Sequence, residues 1–343
     1  MTRHLLVMPD DTSQPLLDAI AGARKSVRVK MFTFSDPGLI GAVIAARKRG
    51  VAVRVMLNAA RRSGEAENEE TRKTLKAAGV DVQDSNPAFD LTHEKSMVVD
   101  DTVAYVMSLN WETRNVTETR DYAIVTRKDN EVDEVIRCFE ADWHRQPFDG
   151  GASAHLIWCN SNGRERFAHF VDRAKHSLWL QNERYQDAVI IERVVRAVTR
   201  GVKVHILARP PHTLKMDKLI EGVGGLRIMQ DVGAKVHRLK GLRLHGKMML
   251  ADDARAIVGS VNLAPGSFDG RRELAIEADD APVIKRLAKV AQHDWDHSAK
   301  LDLSDAGLLA DLQKRGDGDG AKDLVLDGDT HPPEKHGKAA KKH

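Results

Sequence analysis

Two histidines in this 343-residue chain stand in the same chemical company. His93 is followed by Lys95 and, after four intervening residues, by Asp100; His245 is followed by Lys247 and Asp252 at the same spacing. Further polar residues keep step. Ser108 and Asn110 lie 15 and 17 residues after His93, as Ser260 and Asn262 do after His245; Asp121 and Glu273 each lie 28 residues on. The offset is 152 (245−93).

If two such sets meet about a pseudo-two-fold axis, two imidazoles face each other across a pocket lined by cations and neutral donors. That pocket suits a tetrahedral anion. Lys95 and Lys247 can neutralise non-bridging phosphate oxygens, and Ser108, Ser260, Asn110 and Asn262 can donate to the same oxygens as charge builds. One imidazole can attack phosphorus while the other protonates the leaving oxygen. Asp121 and Glu273 can hold a ring N–H and so fix each tautomer. No carboxylates cluster at metal-ligand spacing, so neither metal nor cofactor is expected.

The elements that must position these residues also repeat. Strand alternation at Ser26 to Phe34 precedes a helix from Leu39 to Lys48, opened by Pro37 and ended by Gly50, and a strand at Val51 to Leu57. The second half restarts after the boundary Pro147–Gly151. It has a strand at Ser177 to Gln181, a helix from Asp187 to Thr199 ended by Gly201, and a strand at Val202 to Ala208. Strands are expected at 95–99, 103–108 and 122–126, and again at 247–251, 255–259 and 274–278, closed by helices at 130–145 and 282–300. Alternating strands and helices imply βαβ units, hence an α/β fold with helices flanking mixed sheets. The expected lobes are 1–148 and 152–303, with a disordered, His-containing basic tail over 304–343.

The paired motifs, Gly259-Ser260-Val261-Asn262 and the trailing carboxylates resemble the phospholipase D superfamily, often called the HKD family, over nearly all of 12–300. The resemblance implies two pseudo-symmetric lobes with the site between them, and a metal-free covalent phosphohistidine mechanism. It also implies that His93 attacks, that His245 is the general acid and base, and that Asp100 and Asp252 brace the motifs. The branch it is most similar to is cardiolipin-synthase-like, implying a phospholipid head group as substrate and peripheral association with the inner membrane face. Nuclease activity on nucleic acid is the alternative. Aromatics are 5% and net charge is +3, which weakens it without closing it. A duplicated motif in one chain makes a competent monomer the expectation. Met107 and Glu94 depart from their counterparts, Gly259 and Gly246, and Glu94 is expected to turn away from His93 and Lys95.

Other readings remain open. Lys30 and Arg184 could line the pocket mouth, and Lys30, which alternates with Val29 and Met31, could instead face solvent. Arg271 and Arg272 could meet a phosphate or lie in a solvated turn. Phe32, Phe89 and Trp111 read as packing. Cys138 and Cys159 match no metal spacing and read as buried thiols. Arg315-Gly316-Asp317, the Asp-Gly run after it, and His331, His336 and His343 read as a solvated tail. No run is long and apolar enough for a membrane span or a signal segment, so a cytoplasmic protein is expected.

Overall fold

A computed structural model describes residues 3–59, 66–214 and 216–314. The tail motifs of 315–343 lie outside the described residues.

Each half builds one mixed sheet. The first runs in the order His4–Met8, Thr119–Thr126, Val103–Met107, Ser96–Val99, Ser26–Met31, Ala52–Leu57, Asp81–Asp84. The second repeats it as Leu156–Trp158, Leu274–Ala278, Arg255–Gly259, Met248–Ala251, Ser177–Gln181, Lys203–Leu207, Lys235–Leu239, and adds Ser298–Lys300 at its edge. Local chemistry repeats with it. Asp36 accepts from the backbone N of Leu39 to open the helix Pro37–Lys48, and Asp187 accepts from that of Ile190 to open Ala188–Thr199. Both helices stop at glycines with positive φ, Gly50 at 89° and Gly201 at 91°.

Both faces of each sheet are covered, and strands such as Val103–Met107 and Met248–Ala251 are apolar on both sides. On its outer face each sheet packs under its own helices, around Val29, Met31 and Val55 in the first half and Leu180, Ile206 and Met249 in the second. The inner faces meet across a shared core that includes Val98, Val106, Ile124, Met248, Val258 and Ile276, walled by helices Asp129–Trp143 and Ala281–Asp296.

Two readings are corrected, and a pair of edge strands is added. The apolar segment at the N-terminus is the edge strand His4–Met8, paired with Thr119–Thr126, and Leu156–Trp158 is its counterpart. The last helix of the second lobe ends at Asp296, and Ser298–Lys300 pairs with Lys235–Leu239. The chain stays ordered past 304: Ser304 caps a helix, Asp305–Leu312, whose Asp311 holds His212.

The lobes also exchange two-residue strands. Leu91–Thr92 pairs with Arg271–Arg272, and Arg243–Leu244 pairs with Thr119–Arg120. The registers are related by the same 152 (243−91 and 271−119). These exchanges set the two motifs beside the opposite lobe's carboxylates.

Candidate active site

Each motif histidine sits just beyond an exchanged strand, in the link leading to a buried strand, not within the strand itself. The backbone N–H groups of His93 and Glu94 both donate to the carbonyl of Arg272, and that of Gly246 donates to the carbonyl of Arg120. The next residues in the partner segments are Glu273 and Asp121. The histidine–carboxylate pairs are therefore crossed between lobes. His93 Nδ1 lies 3.0 Å from Glu273 Oε2, and His245 Nδ1 lies 2.9 Å from Asp121 Oδ1. With Nδ1 bound to an ionised carboxylate, Nδ1 carries the proton and Nε2 is left to act on a ligand.

Both carboxylates are fully buried. Burial pushes their pKa values up, but the adjoining histidine and nearby cations, with Ser108 at Asp121, together hold both below the ordinary range. Asp121 also accepts from Ser108 Oγ and Thr119 Oγ1, each at 2.6 Å, and from Asn115. Burial, followed by the charge of Lys95, pushes His93 down to about 4 against the pull of Glu273. His93 is thus a neutral imidazole at pH 7.

The lysines flank the histidines. Lys95 Nζ donates to the His93 carbonyl at 2.7 Å and Lys247 Nζ to that of His245. Burial, then the charge of Lys247, lowers Lys95 to about 7. Asn110 and Asn262 are buried, and the side-chain oxygen of each has no hydrogen-bond partner. Those oxygens are acceptors, so toward a phosphate only the amide N–H groups can donate, and Asn110 Nδ2 already gives one to Glu112.

Not every expected contact forms. Ser108 and Ser260 have no exposed surface. Ser108 spans Asp121 and the Tyr122 backbone; Ser260 bonds the Leu274 backbone in both directions. These hydroxyls fix the strands that carry Asp121 and Glu273. Asp100 accepts from the backbone N of Arg24, Lys25 and Ser26, and Asp252 from that of Lys175, His176 and Ser177. Both lie in tight turns at positive φ, away from the pocket.

The remaining candidates are buried behind the site. Lys30 has no exposed surface and bonds Glu94 at 2.9 Å and Asp142 at 2.7 Å, so it neither faces solvent nor lines the mouth. Burial lowers its pKa, but those two carboxylates more than reverse it. Arg272 is not in a solvated turn: it reaches across the lobes to Asp142 at 3.0 Å and lies over the Phe89 ring at 4.1 Å. Arg271 is also buried, 3.2 Å from Ser267 Oγ. Glu94, Cys138 and Asp142 are close enough to hold a metal, but the Lys30 ammonium already contacts all three. In the related place of the other lobe, Arg120 pairs with Asp294, and Gln181 bonds the Tyr122 hydroxyl at 2.6 Å and Asp294. A Cβ on Gly246 would lie 2.8 Å from the Tyr122 ring. Tyr122 thus takes up the room that the Lys30–Glu94 pair occupies in the first lobe, which accounts for glutamate at one motif and glycine at the other.

One residue was missed. Glu183 Oε2 is 2.7 Å from Lys247 Nζ and 3.9 Å from His245 Nε2, and Oε1 is 3.3 Å from Arg209. Its counterpart is Phe32 (183−151), whose ring meets His93 edge-on at 4.9 Å with Lys95 5.1 Å above it. Aligning the two strand ends would have exposed this carboxylate opposite an aromatic.

Comparison with known proteins gives a family match, described as cardiolipin synthase, PLD-like domain, over residues 16–143 and 167–295. Cardiolipin synthase B of Shigella flexneri is 25% identical over 304 residues, covering 73% of this chain and 70% of that protein. The mitochondrial cardiolipin hydrolase of Homo sapiens is 34% identical over 131 residues, covering 38% of this chain and half of that protein. Among solved structures, phosphatidylserine synthase of Haemophilus influenzae superposes with a TM-score of 0.71 at 11% identity, covering 95% and 94% of the two chains. That likeness is one of fold.

Proposed function

The chain belongs to the cardiolipin synthase, PLD-like domain family, and from that premise we propose that it cleaves and exchanges phospholipid phosphodiesters through a covalent phosphohistidine. The observation that carries this reading is the crossed pair of histidine–carboxylate couples, each with Nδ1 engaged and Nε2 free for a ligand. His93 Nε2 attacks phosphorus, and the bond from phosphorus to the leaving alcohol breaks. His245 donates its Nε2 proton to that oxygen. An acceptor then gives its proton to His245 as its oxygen bonds phosphorus and the bond to His93 breaks. Lys95, Lys247 and the amides of Asn110 and Asn262 face the non-bridging oxygens, where an extra hydrogen bond stabilises the more charged transition state. Charge neutralisation comes from lysines, so turnover persists in EDTA.

The lipid assignment leans on the family and on the cardiolipin synthases to which the chain is similar. No helix among the described residues is long and apolar enough to cross a membrane; the lipid would be met at a membrane surface. Both histidines and both carboxylates come from one chain, so the active unit is a monomer.

The test offers the protein phosphatidylglycerol vesicles or labelled DNA, with EDTA present. Cardiolipin or phosphatidic acid is expected, lost in His93→Ala and in His245→Ala. An acid-labile, alkali-stable phosphoryl group is expected on the quenched wild type and not on His93→Ala. Cut DNA with untouched lipid would move the substrate to nucleic acid; substantial turnover in either variant would overturn the mechanism.

A further inference from the structure

The two sides of the pocket differ in a way that the paired motifs do not need. On the His93 side, Phe32 covers the imidazole and lysine. On the His245 side the equivalent position is Glu183, an anion placed where an anionic substrate must bind. Counter-charge for the lysine is not sufficient reason for it, since Lys95 stands beside a neutral ring. A cavity of about 250 Å³ opens on the same side, lined by Glu183, His245, Arg209, His212, Arg238 and Arg243. His93 does not line it.

In-line displacement by His93 puts the leaving oxygen, and later the acceptor oxygen, opposite His93 and beside His245. The cavity therefore lies on the alcohol side of phosphorus. A carboxylate accepts up to about four hydrogen bonds, and Glu183 uses one on Lys247 and one on Arg209. It has acceptor capacity for a hydroxyl, and none to give an anion. We propose that Glu183 and this cavity form the acceptor subsite, in which Glu183 takes a hydrogen bond from a second hydroxyl beside the reacting one. The site thereby selects a vicinal diol of the glycerol type over a simple alcohol or water. This rests on the reading of His93 as nucleophile. As the phosphoryl group leaves His93, the diol's reacting O–H passes its proton to His245 Nε2, while the neighbouring O–H stays on Glu183 and keeps its proton.

The test uses bis(p-nitrophenyl) phosphate as donor, so that p-nitrophenol release reports the first half-reaction and no diol enters with the donor. Glycerol and 1-propanol are supplied together at equal concentration, and the two p-nitrophenyl phosphodiesters are counted. Their ratio is set after the common intermediate and is independent of how much enzyme is active. Wild type should favour glycerol by about tenfold or more, because a site that bonds a hydroxyl rejects an acceptor lacking it. Glu183→Ala should bring the ratio to about one, and Glu183→Gln should fall between. An unchanged ratio in both variants overturns the proposal, as does a wild type without preference. If neither variant releases p-nitrophenol while the wild type does, the carboxylate belongs to the chemistry itself and the assignment falls. A wild type that makes neither diester nor p-nitrophenol overturns the phosphohistidine reading, and this inference with it.

Discussion

His93 and Lys95 owe their chemistry to burial as much as to their neighbours, and that sets the pH response. His93 is lowered to about 4 from an ordinary 6.5, so it stays neutral and nucleophilic well below the usual imidazole range. The acid limb of kcat/KM should therefore lie below pH 6.5. The same shift makes folding less favourable as pH falls from about 6.5 towards 4, because the unfolded chain takes up the proton first. Lys95 is lowered to about 7, so its cation is lost above that pH and kcat/KM should fall on the alkaline side. In Lys95→Arg, whose guanidinium stays charged, the alkaline limb should move out of the measurable range; a limb that stays near 7 assigns it to another group. Glu273→Gln and Asp121→Asn leave Nδ1 without its anionic acceptor. Each should lower kcat by about 10³- to 10⁴-fold with a native circular dichroism spectrum. A loss under tenfold would remove these carboxylates from the mechanism.

At the scale of elements, the exchanged strands and the strands behind them tolerate little change. A Cβ on Gly259 would lie 2.4 Å from both Ala275 Cα and the Leu274 carbonyl oxygen. Gly259→Ala must push apart the two strands that Ser260 ties together, and should cost about 1–3 kcal/mol in thermal or urea unfolding. Its activity should drop with it, since Glu273 immediately precedes the displaced strand. Asp142 holds Lys30 and Arg272, one from each lobe. Asp142→Ala leaves two buried cations sharing Glu94 and should destabilise the protein by about 3–5 kcal/mol. A melting temperature within a degree of wild type would show that this cluster does not hold the lobes.

At the scale of the whole molecule, the site exists only between the lobes. A fragment ending near residue 150 would keep His93 and lose Glu273, and would open the shared apolar core of Val98, Val106 and Ile124 to water. Either half expressed alone should aggregate or stay inactive. In the intact chain, specific activity should not depend on protein concentration across the range where sedimentation shows a change of assembly state; a rise on association would mean that a second copy contributes to the site.

The amino-acid sequence by itself determined the two-lobed α/β fold, the repeat and the identity of the histidines, lysines and carboxylates, because each is written as a local spacing repeated at 152. It also placed the helices that follow the strands at 26–34 and 177–181, while their caps, Asp36 and Asp187, came from the structure. Only the tertiary structure decided partners. Which carboxylate meets which histidine depends on two short strands pairing across lobes, and no spacing within one motif encodes that. Burial of Lys30 follows from a sheet covered on both faces, and that of Arg272 from the pairing of its short strand across the lobes. Ser108 and Ser260 are buried with their hydroxyls bonded to backbone, which no motif spacing reveals. Glu183 escaped notice because it falls outside both motifs, and three-dimensional folding alone brings it to His245.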